Sequence, residues 1–175
     1  MFFSRVDRQS AILFKRNDFL LMPDNVLADH CRIDVFCGSG PGGQHRNRNY
    51  TAVRAVFKVL EGFTAEESAF RSQKQNLSSA LQKLRFKLAC SWREEMPEDF
   101  SYRHFNESNI LYPAEFARLL DVLVDSKFDH RMAAARANIS ATSLLKELSR
   151  DYTVWDEFMQ IRSTLGLSEL KKPRS

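Results

Sequence analysis

The chain has 175 residues, of which 43% are hydrophobic and 27% charged, a balance typical of one globular domain or two small ones. No apolar stretch approaches the roughly 20 residues that cross a bilayer, and Met1-Phe2-Phe3 is followed by charged residues rather than a signal-peptide core, so we expect a cytoplasmic protein without membrane contact. The net charge is +4, and residues 32–95 carry 11 Lys and Arg against 6 Asp and Glu, which indicates a polyanionic partner for that segment.

The first half of the chain has the pattern of a small sheet followed by a long helix. Pro23-Asp24-Asn25 indicates a turn, and the partial alternation at 32–37 and 51–60 predicts two strands. From about residue 72 to 95, apolar residues recur every three or four positions, which predicts a helix with one buried stripe. The predicted core positions are Val53, Ala55, Phe57 and Val59 on the second strand, and Leu77, Leu81, Leu84, Leu88 and Trp92 on the helix.

The second half of the chain is predicted to be helical. Helices are expected over 113–127, 130–137, 141–150 and 152–165, with Gly166 ending the last one. The predicted fold class is therefore α+β, with a short β-sheet packed against a long helix and followed by a helical domain. The expected domains are 1–98, an irregular linker at 99–112, and 113–175. The last of these ends in a short basic tail that contains Lys171, Lys172 and Arg174.

A glycine-rich loop follows the first predicted strand. Four glycines and a proline between Gly38 and Gln44 exclude both helix and strand. Glycines let backbone N–H groups approach a ligand closely, and Arg46 and Arg48 add positive charge just after the loop. Such a loop suits a phosphate, an RNA backbone or the oxyanion of a transition state.

One alternative is a dinucleotide-binding loop. Gly38-x-Gly40-x-x-Gly43 matches that fingerprint, and Glu61 follows at about the expected distance. The fingerprint, however, needs a helix to begin at its third glycine so that the helix N-terminus meets the pyrophosphate. Here a basic, polar segment and then a strand follow, which disfavours the nucleotide interpretation.

Two motifs in the same order resemble the class I peptide chain release factors. The first resembles their Gly-Gly-Gln (GGQ) motif, and the second resembles an Arg-Ser-Gln segment that leads into a helix. Together they cover roughly residues 30–90. The matching residues are Gly38-Ser39-Gly40-Pro41-Gly42-Gly43-Gln44-His45-x-Asn47-x-x-x-Thr51-Ala52-Val53-Arg54, then Arg71-Ser72-Gln73-x-x-Asn76 and Leu84-Arg85-x-x-Leu88.

The resemblance implies a GGQ-type domain that enters the peptidyl-transferase centre of the large ribosomal subunit and promotes hydrolysis of peptidyl-tRNA. The backbone N–H of Gln44 would stabilise charge in the transition state, and its side chain would favour water as the nucleophile. Gly42 and Gly43 would permit the backbone geometry that aims this N–H. No cofactor or metal is implied, and we expect a monomer whose partners are large-subunit rRNA and peptidyl-tRNA.

Polar and basic residues near the two motifs are candidates for RNA contacts that fix position without reading sequence. The chain departs from the family after the glutamine, where Arg46 and Tyr50 stand in a run that usually reads His-Val-Asn-Lys-Thr-Glu. We also expect residues 63–70 to replace the strand that usually precedes Arg-Ser-Gln. The candidate RNA-binding residues are Arg46, Asn47, Arg48, Arg54, Arg71 and Lys74.

The sequence also bears on which kind of release-factor homologue the chain resembles, one that reads a stop codon or one that acts without a codon. About 37 residues precede the loop, and no Pro-x-Thr or Ser-Pro-Phe tripeptide for stop-codon reading occurs. The chain is therefore closer to the short, codon-independent homologues that rescue stalled ribosomes. The alternatives are a non-catalytic ribosome- or RNA-binding protein that keeps the fold, and a regulator that binds DNA.

The predicted helices after residue 130 resemble a helix-turn-helix. Asn138 stands at the turn position, where its side chain tolerates the left-handed conformation, and Ser140 is placed to cap the next helix. The functional hypothesis is contact with nucleic acid through Thr142, Ser143 and Lys146. A plain helical bundle is the alternative.

Overall fold

The computed structural model describes residues 15–37, 50–95 and 99–173. Ten helices and strands occur within these ranges, and they confirm the α+β class. They are α1 Arg16–Leu21, α2 Asp24–Asp29, β1 Cys31–Phe36, β2 Ala52–Phe57, β3 Thr64–Glu67, α3 Gln73–Ser91, α4 Tyr112–Asp125, α5 His130–Arg136, α6 Ala141–Ser149 and α7 Tyr152–Thr164.

The three strands form one antiparallel sheet in the order β1-β2-β3, with β2 in the centre. Val53, Ala55 and Phe57 of β2 are buried, as the alternation of the sequence predicts. The strand ends at Phe57, so Val59 lies beyond it and is only half-buried. At the opposite end, Phe36 pairs with Ala52, and the connection between β1 and β2 leaves the sheet there.

The apolar stripe predicted for α3 is confirmed. Leu81, Leu84 and Leu88 are fully buried, and Leu77 at the start of the helix is half-buried. Arg85 is also buried on this helix, where its Nη1 atom donates to Asp24 Oδ1 at 2.7 Å and its Nη2 atom donates to the Met22 carbonyl at 2.6 Å. This arginine therefore fixes the connection between α1 and α2 to the long helix.

The two helices before the sheet are not evident in the sequence pattern. The prediction of a turn at Pro23-Asp24-Asn25 is wrong, because Pro23 is the N-cap of α2 and the helix begins at Asp24. Proline suits a helix start because the first N–H groups of a helix lack partners within it. Each of the two helices has only six residues, too few to show a helical period.

The third strand corrects a second expectation. Residues 63–70 do not replace a strand, because Thr64–Glu67 pairs with β2. Glutamate is unfavourable in strands, so the sequence pattern does not predict β3. Arg54 lies directly opposite Glu66 in the register, and its Nε atom is 2.5 Å from Glu66 Oε1. A cross-strand ion pair of this kind offsets the weak strand propensity.

The helix boundaries in the second half agree with the predictions to within two residues. Asn138 has a φ of 55° and Gly166 a φ of 71°, so the predicted turn and the predicted helix stop are both confirmed. The Ser140 side chain accepts a hydrogen bond from the Ser143 N–H at 3.0 Å, which confirms the predicted N-cap of α6. Helices α5 and α6 are joined by the four residues 137–140, a connection length that fits a helix-turn-helix, and the assignment of that motif stays a prediction.

The chain divides into two compact units, and the division falls within α3, between Leu88 and Ala89. The domain limits expected at residues 98 and 112 stay predictions. In the described ranges, no helix is long and apolar enough to span a membrane. Nor do three or more His, Cys, Asp or Glu side chains cluster as a metal site in those ranges.

Candidate functional site at the base of the glycine loop

The glycine-rich loop itself lies outside the described residues, which resume at Tyr50. The predicted site residues Gly42, Gly43, Gln44, Arg46, Asn47 and Arg48 all fall there and stay predictions. The structure does describe both ends of the connection. Because Phe36 and Ala52 are paired neighbours in antiparallel strands, the loop connects the two strands of a hairpin at one end of the sheet.

A buried asparagine joins the end of this connection to the second motif. The Nδ2 atom of Asn76 donates to the Thr51 carbonyl at 2.6 Å and to the Phe70 carbonyl at 2.9 Å. Its Oδ1 atom accepts from the Phe70 N–H at 3.0 Å. Asn76 is fully buried, and its amide uses both donor hydrogens and its acceptor oxygen on backbone groups of Thr51 and Phe70.

The segment around Arg71 is also held by the start of α3. The Gln75 N–H donates to the Ser72 hydroxyl at 3.4 Å, and the Asn76 N–H donates to the Ser72 carbonyl at 3.0 Å. Ser72 therefore acts as the cap that begins the helix. The predicted RNA-binding residues Arg71 and Lys74 are exposed at this helix start, within one turn of each other.

Glu67 organises the short turn between β3 and α3. Its Oε1 atom accepts from the N–H groups of Ser68 at 2.9 Å and Ala69 at 3.0 Å. Its Oε2 atom accepts from the Ser79 hydroxyl at 2.7 Å and lies 3.1 Å from Lys83 Nζ. These donors, the Ser79 hydroxyl above all, lower the pKa of Glu67 to about 2, because each stabilises the ionised form.

The low pKa of Glu67 predicts acid-sensitive stability. The ordinary pKa is 4.5, so the stabilisation is complete above that pH and is lost as the pH falls towards about 2. We expect Glu67→Gln to lower the free energy of unfolding at pH 7 by roughly 1–3 kcal/mol, and to lower it less at pH 2.5. Urea denaturation at both pH values measures this difference. An equal loss at both would contradict the assignment, and Glu61→Gln, at an exposed position in the turn between β2 and β3, is the matched control.

Arg54 is the third predicted RNA-binding residue within the described ranges. It lies on the central strand, is paired with Glu66, and its guanidinium carbon is 5.3 Å from the centre of the Phe36 ring. Its side chain is 43% exposed. The structure therefore engages Arg54 in a cross-strand pair, whereas Arg71 and Lys74 lie together at the start of α3.

Sequence reasoning quoted Asn76 in a motif but assigned it no role, and it overlooked Glu67. A signal for Asn76 was present, because residues 76, 80 and 84 recur every four positions and share one helix face. Ala80 and Leu84 on that face are fully buried, so a polar residue beside them must find internal partners. No comparable signal marks Glu67, whose partners come from the following turn and from α3.

The second compact unit contains a groove of about 670 Å³ beside α6. Glu147 is buried at its wall, where Oε2 accepts from the Tyr102 hydroxyl at 3.1 Å and Oε1 lies 2.5 Å from His104 Nδ1. Burial and the nearby Glu147 carboxylate both raise the pKa of Tyr102. Thr142, Ser143 and Lys146 are exposed on α6, as a nucleic-acid contact requires, but their predicted contact stays a prediction.

The chain is similar in sequence to known release factors. The family model described as the RF-1 domain matches residues 24–110. The chain is 33% identical over 111 residues to peptide chain release factor 1 of Bifidobacterium adolescentis, and 32% identical over 108 residues to that of Frankia casuarinae. These alignments cover 63% and 62% of this chain and 30% of each relative.

A further relative is peptide chain release factor 2 of Lactiplantibacillus plantarum, which is 42% identical over 64 residues. That alignment covers 37% of this chain and 17% of the relative. The chain thus spans at most about a third of the length of these curated relatives. No solved structure matches it.

Proposed function

Because this chain belongs to the class I peptide chain release factor family, we propose that it is a ribosome-dependent peptidyl-tRNA hydrolase that acts without reading a stop codon. Its partners would be large-subunit rRNA and peptidyl-tRNA, and it would act as a cytoplasmic monomer. The proposal concerns this chain as a whole, whereas the family match covers residues 24–110.

The observation that carries the proposal is the hairpin that presents the glycine loop. Strands β1 and β2 pair up to Phe36 and Ala52, and Gly42-Gly43-Gln44 belongs to the connection between them. Asn76 fixes the carbonyl of Thr51, which immediately precedes β2. Such an anchored base supports a loop whose backbone N–H groups serve as hydrogen-bond donors.

In the proposed reaction, water attacks the ester carbonyl carbon that links the nascent peptide to the tRNA ribose. Negative charge develops on the carbonyl oxygen, and the backbone N–H of Gln44 donates a hydrogen bond to it. The bond from the carbonyl carbon to the ribose oxygen then breaks, and that oxygen receives a proton as the peptide acid departs. This chain's contribution is one aimed donor, while the ribosome holds the substrate in place.

Codon independence is a separate part of this proposal, and it is tested independently of hydrolysis. The test adds purified protein to ribosomes that carry a labelled peptidyl-tRNA. Their messages either end in the P site, present a sense codon in the A site, or present a stop codon there. We expect release from the truncated message to be at least as fast as release at the stop codon.

Three outcomes separate the parts of this proposal. Release at the stop codon alone would contradict codon independence and leave hydrolysis standing. Ribosome binding without release from any complex would contradict hydrolysis and favour the non-catalytic alternative. Release from the truncated message, absent when the protein is omitted, would support both parts.

A further inference from the structure

Two large aromatic side chains are exposed where the glycine connection returns to the sheet. Tyr50 is 67% exposed and Phe70 is 44% exposed. One exposed aromatic residue on a protein surface is ordinary. Two such residues on neighbouring backbone segments, beside exposed cations, indicate a partner that contacts both the aromatic rings and the positive charges.

The hydrogen bonds of Asn76 bring the backbones next to these two aromatic side chains close together. A single atom, Nδ2 of Asn76, donates both to the carbonyl of Thr51 and to that of Phe70, so the two carbonyl oxygens are neighbours around it. Tyr50 directly precedes Thr51 in the chain. The backbones that carry Tyr50 and Phe70 are therefore held close together, although 20 positions separate them in sequence.

The charge around these side chains is positive. Arg71 follows Phe70 directly, Lys74 lies one helical turn further on, and both are exposed. The two nearby acidic groups are already compensated, because Glu66 is paired with Arg54 and Glu67 accepts hydrogen bonds from Ser79 and two backbone N–H groups. The exposed cations are thus available for an anionic partner.

We propose that Tyr50, Phe70, Arg71 and Lys74 form a stacking surface for unpaired nucleotides. The two aromatic rings stack on bases, and the two cations contact the adjoining phosphates. A purely apolar protein partner would leave Arg71 and Lys74 without counter-charges, whereas a single-stranded nucleic acid uses rings and cations together. The inference rests on the proposed function, since it names the RNA groups that hold the protein beside its substrate.

Tyr50, one member of this surface, is only a few residues along the chain from Gln44, the proposed catalytic residue. Tyr50 follows Gln44 by six residues, and six residues span at most about 20 Å. The backbone of Tyr50 is therefore within that distance of the Gln44 backbone, and a nucleotide stacked on the ring lies farther away only by the length of the tyrosine side chain and the stacking distance. Such a contact would position RNA without taking part in the chemistry.

The test measures binding of the full chain to a fluorescein-labelled single-stranded octa-adenylate by fluorescence anisotropy, over a series of salt concentrations. Stacking on one aromatic ring is worth about 1–3 kcal/mol, so Tyr50→Ala and Phe70→Ala are each expected to weaken binding about tenfold. Neither should change the slope of log affinity against log salt. Arg71→Ala and Lys74→Ala should each make that slope shallower by about 0.7.

Two control variants keep the test specific. Tyr50→Phe retains the ring and should bind as the wild type does, which separates stacking from the hydroxyl group. Tyr152→Ala removes an equally exposed ring in the other compact unit and should also leave binding unchanged. Tyr50→Ala and Phe70→Ala chains that keep the wild-type unfolding midpoint but bind within twofold of wild type would overturn the inference. Capture of an apolar peptide in place of RNA would overturn it as well.

A ribosomal assay separates this inference from the proposed function. Tyr50→Ala should raise the concentration of protein that gives half-maximal peptide release and leave the maximal rate unchanged. If the wild type releases no peptide, the proposed function fails, whatever the oligonucleotide result. If the wild type releases peptide and Tyr50→Ala matches it in both binding and release, only the stacking surface fails.

Discussion

Replacing Gln44 or Gly43 by alanine is expected to abolish most peptide release while leaving ribosome binding intact. A single well-aimed oxyanion donor is worth about 10²–10³ in rate. Gly43→Ala restricts the backbone that aims the donor. Gln44→Ala keeps the N–H, so its loss has a different cause: in the proposed reaction the glutamine side chain shapes the site in which water attacks, and alanine removes it. Single-turnover release from ribosomes with a truncated message measures the rate, and co-sedimentation measures binding.

A matched control for the first substitution lies in the same compact unit. Gln75 is an exposed glutamine at the start of α3, and its side chain has no part in the proposed reaction. Gln75→Ala should therefore release peptide at the wild-type rate. Equal rates for the wild type, Gly43→Ala and Gln44→Ala would remove the catalytic role from the loop. Weakened co-sedimentation of the slow variants would instead assign the loop to binding.

The sequence predicts those parts of the fold that depend on local patterns. The stripe of α3 is visible because 19 residues show several helical turns, and the central strand is visible because it alternates. Asn138 and Ser140 are equally predictable, since a left-handed turn and a helix cap depend on one residue and its immediate neighbours. Strand β3 is not predictable in this way, because its glutamates are acceptable only with Arg54 opposite and with Ser79 and Lys83 on α3.

The candidate site likewise has one part that the local sequence predicts and one part that depends on tertiary contacts. Glycine content alone predicts a donor loop, because four glycines and a proline disfavour both helix and strand and leave the backbone N–H groups uncovered by side chains. What holds the base of the loop depends on tertiary structure. Asn76 bonds to Thr51, 25 positions earlier, and to Phe70, six positions earlier, and the sequence gives no indication that these two backbone groups meet. The proximity of the exposed residues Tyr50 and Phe70 depends on these tertiary contacts, so the sequence alone does not predict it.

Asn76→Leu is expected to destabilise this unit strongly. Leucine has the same number of side-chain heavy atoms, branched at the same carbon, but no polar atoms, so the carbonyls of Thr51 and Phe70 and the N–H of Phe70 would lose their partner. A buried polar group left without a partner costs about 1–3 kcal/mol. Because these hydrogen bonds are only part-buried, we expect the lower end of that range for each of the three groups, and so a loss of about 3–5 kcal/mol in the free energy of unfolding. Urea denaturation measures this loss.

Two further variants distinguish the amide's hydrogen bonds from simple packing. Asn76→Asp keeps an acceptor for the Phe70 N–H but removes both donors and adds a buried charge, so it should destabilise as severely as Asn76→Leu. Gln75→Leu makes the same kind of change at the adjacent, exposed position and should alter stability by less than about 0.5 kcal/mol. Below the unfolding temperature, folded Asn76→Leu should also release peptide more slowly, because the Thr51 end of the glycine connection is no longer tied to Phe70. If that variant were as stable and as active as the wild type, the base of the loop would not depend on Asn76.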